Sequence, residues 1–176
     1  TATSANTNVS LMGQTFKSVG PVIGQFFDTP EASMEGFKDA AWAVGLMANN
    51  GIKASEAGTA LRSIVTRLAT DAGSSSKSLG ALGVLTEKLG VQFYDGQDQV
   101  RDLSDVLLEA REAWQGLTDA EATNYAKKIA GQYAIAGWDA IMGSSEADIR
   151  KLTEALADCS GAAEEMAHIR MDNLEG

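Results

Sequence analysis

The side chains in this sequence that could do chemistry are few. His168 is the sole histidine, with Glu164, Glu165 and Asp172 at offsets of four, three and four residues. An imidazole flanked by carboxylates at helical spacing can serve as an acid–base pair or as one corner of a metal site. A metal centre needs several strong ligands, and none of the usual spacings occurs, so these four residues read as a surface histidine among helix-stabilising acids. Cys159 is the sole cysteine, so there is no internal disulfide and no cysteine metal cluster. A thiol becomes a nucleophile beside positive charge or a base. Cys159 instead sits between Asp158 and Ser160, with Arg150 and Lys151 further off, and reads as a packed thiol. The run Ser74-Ser75-Ser76 suits a linker. No lysine follows a glycine in a phosphate-loop arrangement, and Gly80-Ala81-Leu82-Gly83 has the wrong spacing for a dinucleotide fingerprint. No catalytic, cofactor-binding or metal-ligating residue is therefore assigned, and the expectation is a protein that is not an enzyme.

The elements that would position such groups are helical. Two prolines, Pro21 and Pro30, leave long stretches free to run as helix. The balance of 24 acidic against 14 basic residues gives a formal net charge of −10. That charge suits solubility and opposes duplex binding, which draws affinity from lysine and arginine on phosphates, so no specific nucleic-acid binding is expected. No apolar run approaches the roughly 20 residues that span a bilayer, and no signal-peptide pattern opens the chain. Thr1 to Thr7 and Arg170 to Gly176 both look cut from something longer.

Apolar residues at alternating three- and four-residue steps place the helices. Val9, Met12, Phe16, Val19, Ile23 and Phe26 form a first stripe, with a kink or restart at Pro21. Thr29-Pro30-Glu31 reads as cap, first-turn proline and dipole-matching acid, ahead of a helix from near Ser33 to Asn50. Met34, Phe37, Ala41, Val44 and Ala48 line it, widened by Trp42 and Leu46. Asn49-Asn50-Gly51 stops it, Gly51 taking the left-handed conformation. Ala57, Leu61, Ile64 and Leu68 define a third helix, with Arg62 and Arg67 on its polar face and Gly58 at a close helix crossing. Small residues near Gly45, Gly51 and Gly58 would permit close approach. Thr70 to Ser78 reads as a loop. Leu82, Leu85 and Leu89 suggest a short helix closed by Gly90.

The period then changes. Val91-Gln92-Phe93-Tyr94, Asp95-Gly96 and Gln99-Val100-Arg101 predict a β-hairpin. Leu103, Leu107, Ala110 and Trp114 restart the helical pattern at Ser104-Asp105. Thr118 and Glu121 make a capping box for a helix carrying Tyr125, Ile129 and Tyr133, with a break at Gly131. Ile135, Trp138 and Met142 follow. Ser145 and Asp148 open another helix, with Ile149, Leu152 and Leu156 inward, and a last one starts near Ser160 with Met166 and Ile169. The expectation is an all-α fold: one compact domain over 1–176, about eight helices, one small hairpin near 91–101, and residues 1–32 as a loosely packed N-terminal arm.

Several stretches together resemble the core region of phage tail tape-measure proteins, the family typified by a lactococcal phage with a long non-contractile tail. They are Ser4 to Gly13 (SANTNVSLMG), Gly45 to Arg62 (GLMANNGIKASEAGTALR), Leu89 to Asp95 with Leu103 to Asp105, and Ile129 to Gln132 with Ala136 to Trp138. Gly161 to Ala167 and Asp172 to Leu174 also fit. Order and spacing match over nearly the whole chain, and the second stretch is the most specific. The pattern departs between Val22 and Ser33, around Phe26-Phe27-Asp28-Thr29-Pro30.

The resemblance marks Asn49, Asn50, Gly51, Gly58, Leu61, Arg62, Gly131, Gln132, Gly137 and Trp138 as motif residues of a structural kind. It implies a module of a long protein that lies in the tail lumen, assembles in the host cytoplasm, sets tail length and leaves ahead of the DNA. Its partners would be other copies of itself and tail-tube or tail-assembly proteins. This chain cannot itself be the ruler: as one unbroken helix it would span only about 260 Å at about 1.5 Å per residue. The alternative function is a tail-associated cell-wall hydrolase domain, which needs a general-acid carboxylate in a cleft or a liganded metal.

Overall fold

A computed structural model describes Lys17, Gly20, Pro21 and residues 30–52, 54–70 and 79–157. The expected stripe from Val9 to Phe26 apart from those three residues, the loop 71–78, Cys159, His168 and the last helix lie outside them. The described chain is mostly helical. Helix α1 is Pro30–Asn49, α2 is Ala54–Thr70 and α3 is the single turn Ala81–Gly83, which runs directly into the π-helical Val84–Lys88. Then come α4, Leu103–Trp114, α5, Asp119–Ile129, and α6, Ile135–Met142, followed by α7 over residues 146–157.

The short α6 is the hub. Its sequence, IAGWDAIM, is apolar nearly all round, and Gly137, Trp138, Ala140, Ile141 and Met142 are all buried. A helix of that kind must be covered on several sides. Helices α1, α2, α4 and α5 all pack against it. The stripe Ala57, Leu61, Ile64 and Leu68 of α2 is fully buried, as are Leu46 and Met47 of α1. Burying one such side chain contributes about 1.5–3 kcal/mol.

Two expectations are corrected. Residues 91–101 form no two-stranded hairpin: one isolated antiparallel bridge joins Tyr94 to Val100. The reason lies at Asp95, whose carboxylate accepts the amides of Gln97 at 2.8 Å and Gln99 at 2.9 Å. The left-handed residue is Asp98, at φ 58°, where the two-residue turn would have placed Gly96. The side chain thus takes the Gln99 amide, and the backbone bonds that remain, Asp95 N–H to the Gln99 carbonyl at 2.8 Å and Arg101 N–H to the Phe93 carbonyl at 3.0 Å, flank the single bridge. Arg101 then pins the loop, donating to the carbonyl of Gln92 at 2.9 Å and to both oxygens of Glu109 at 3.0 and 2.6 Å.

The count of eight separate helices is not confirmed either. The Leu82–Leu89 segment is one α turn continued as a π turn, with Leu89 N–H bonded to the Val84 carbonyl at 3.1 Å and Gly90 at φ +73° ending it. The wider turn keeps Leu85 and Leu89 in the core.

Candidate functional site

Six of the ten motif residues, Asn49, Asn50, Gly51, Gly131, Gly137 and Trp138, lie at three joints around α6. At the first, α1 ends in a Schellman motif: Gly51 sits at φ +88°, its amide bonds the Ala48 carbonyl at 3.1 Å, and the Ile52 amide bonds the Met47 carbonyl at 2.9 Å. This ending holds two asparagines over neighbouring helices. The amide group of Asn50 donates to the carbonyls of Leu46 (3.0 Å) and Ala140 (3.1 Å) and to the hydroxyl of Ser144 at 3.3 Å. Asn49 donates to Asp148 at 3.2 Å. Asp148 also caps α7 with Ser145: its amide donates to the Ser145 hydroxyl at 3.1 Å, and that hydroxyl donates back to its carboxylate at 2.6 Å. Arg111 of α4 joins the cluster through the Ser144 carbonyl at 3.0 Å. Asn49 and Asn50 thus clasp α1, α6 and α7 together.

The second joint is the α5–α6 break. The capping box is formed: the Glu121 amide donates to the Thr118 hydroxyl at 3.4 Å, and the Thr118 amide donates to the Glu121 carboxylate at 3.0 Å. The hydroxyl and amide of Thr118 hold the Glu121 carboxyl below its usual range. At the far end Gly131, φ +74°, lies beneath the Arg67 guanidinium, which a Cβ would meet at 2.6 Å. Ser63 ties α2 to the same corner through the Ala130 carbonyl at 2.9 Å.

At the third, Gly137 crosses α2 so closely that a Cβ on it would lie 2.6 Å from that of Ala60. Gly58 is buried on the same helix. Trp138 beside it is fully buried and meets Trp114 edge-to-face at 5.4 Å, its indole N–H unpartnered. Leu61 is fully buried, whereas Arg62 and Gln132 are exposed and join none of the three joints. Tyr133, next to Gln132, is 97% exposed.

A further residue was missed in the sequence. Asp39 of α1 is 9% exposed and accepts the Leu103 amide at 2.6 Å, capping α4 from another helix. Burial raises its pKa, opposed by hydrogen bonds from Ser104 and Leu103, while Asp102 nearby pushes it up further. The signal was available: the one acid inside the run Phe37 to Ala48, where every other residue is apolar or small apart from Lys38.

Among the described residues no group of three or more His, Cys, Asp or Glu could hold a metal ion, and no helix is long and apolar enough to cross a membrane. The geometry builds contacts between helices.

The family of phage-related minor tail proteins matches residues 1–131. The chain is 32% identical over 173 residues to the tape measure protein of Pneumococcus phage Dp-1, covering 98% of this chain and 14% of that protein. It is 29% identical over 142 residues to the probable tape measure protein of Escherichia phage P2, covering 79% of this chain and 17% of that one. The chain therefore spans less than a fifth of the length of these relatives. No solved structure gives a significant match. On these matches the chain belongs to the phage-related minor tail proteins and is similar to part of two tape measure proteins.

Proposed function

We propose that the chain is a folded helical module within a longer tape-measure protein of the lactococcal-phage type, acting in tail assembly, length determination and genome ejection. It works by contact and performs no chemistry. The observation that carries this reading is the family match over most of a chain whose motif residues build helix-to-helix joints. Its place is the lumen of the virion tail, reached after assembly in the host cytoplasm. Its partners are other copies of itself and tail-tube or assembly proteins. The motif residues act structurally: Asn49, Asn50 and Gly51 close one corner, Gly131 another, and Leu61, Gly58, Gly137 and Trp138 fill the centre. Arg62 and Gln132, being exposed, are the motif residues free to face a partner.

The experiment is made in the phage. Leu61→Asp in the tape-measure gene is expected to give tails that are absent or irregular in length by electron microscopy, with Arg62→Ala preserving the fold and altering only assembly yield. Normal tails carrying the Leu61→Asp protein would overturn the proposal.

A further inference from the structure

A groove of about 290 Å³ lies between α1, the first turn of α4 and the end of α7. Its floor is apolar, formed by Trp42, Leu108 and Leu156. Trp42 is buried and donates its indole N–H to Thr153 at 3.2 Å, so the floor is fixed in place. The walls carry Glu35, Asp102 and Asp105, with Asp39 buried behind them. Lys38, the one cation in the groove lining, is held by Glu35 at 2.7 Å. Arg101, just before Asp102, has both carboxylate oxygens of Glu109 as its partners. The N-terminus of α4 contributes about half a positive charge, too little to balance this many carboxylates.

We propose that this groove docks a cationic amphipathic helix from a partner protein, its aliphatic side chains on Leu108 and Leu156 and its lysines or arginines against Asp102, Asp105 and Glu35. Charge complementarity selects the occupant. Residues 158–176 carry five carboxylates against one arginine, and residues 1–29 one lysine and one aspartate, so neither stretch offers a basic face. The repulsion between Asp102 and Asp39 is relieved when a cation enters. The inference rests on the groove and stands apart from the tail role.

The test uses the 176-residue chain, labelled with nitrogen-15, and a blocked leucine–lysine peptide of about 14 residues, roughly four helical turns, with leucines at three-and-four spacing. At about 0.15 M salt, amide shifts are expected to cluster on residues 35–42, 102–108 and 153–157. Asp102→Asn with Asp105→Asn should weaken binding about tenfold, and Glu35→Gln alone should weaken it in the same direction. Glu87→Gln with Glu112→Gln, exposed carboxylates outside the groove, should leave the affinity unchanged. A peptide with glutamate for lysine should not bind, and one with serine for leucine should bind about tenfold less tightly. Shifts scattered over the surface, equal losses from the Glu87 and Glu112 pair, full binding by the serine peptide, or no binding at all would each overturn the proposal.

Discussion

Asp39 and Leu103 stand 64 residues apart in sequence, and a buried carboxylate-to-amide hydrogen bond of 2.6 Å joins them. One helix thereby supplies the cap of another, and the α1–α4 contact depends on a polar group as well as on packing. Asp39→Ala leaves a buried helix-end amide unpaired and should cost about 1–3 kcal/mol in urea unfolding. Asp39→Asn keeps an acceptor oxygen and removes a buried charge, so it should cost less than about 1 kcal/mol.

The pH dependence of the same residue has a fixed sign. Burial, the largest influence, raises the Asp39 carboxyl above the 3.8 of a free aspartate, against the pull of its hydrogen bonds. The folded state then takes up its proton at a higher pH than the unfolded state. Stability from this group is therefore present at low pH and lost as pH rises from 3.8 through the raised folded value. Wild type should gain on Asp39→Asn as pH falls through that window, measured as the difference in urea midpoints; a constant difference would show that Asp39 does not titrate there.

Leu61 is fully buried where α2 meets the core. Leu61→Ala should cost about 2–5 kcal/mol, the lost transfer energy plus the cavity. Leu61→Asp, a lone buried charge, should leave no cooperative thermal transition by circular dichroism.

Two glycines should fail for different reasons. Gly137→Ala puts a methyl 2.6 Å from the Ala60 Cβ, and should cost about 1–3 kcal/mol, recovered in part by Ala60→Gly. A Cβ on Gly51 meets nothing within 4 Å, so Gly51→Ala should cost about 1–2 kcal/mol from backbone conformation alone, with no rescue by a neighbour. A double-mutant cycle separates the cases.

What the sequence disclosed was what depends on near neighbours. Thr118 and Glu121 are three residues apart, so their mutual capping was visible before any fold was known. Gly51 after two asparagines announced the end of α1, and the buried stripe of α2 followed from its spacing. The misses are where distant or competing groups decide. Asp39 finds its partner across another helix, and the clasp of Asn50 on Ala140 spans 90 residues. The Asp95 carboxylate overrides an alternating pattern that otherwise favours strands. The close approach of Ala60 to Gly137 has no local signal on the Ala60 side, because alanine suits any helix position.

The bonds Trp42–Thr153 and Asn49–Asp148 set α1 and α7 side by side in opposite directions. The antiparallel pairing therefore brings Pro30 and Ala157 to the same end of the pair. A pull applied between Pro30 and Ala157 is expected to load the Trp42–Thr153 bond before the Asn49–Asp148 bond, so the pair should open like a zipper.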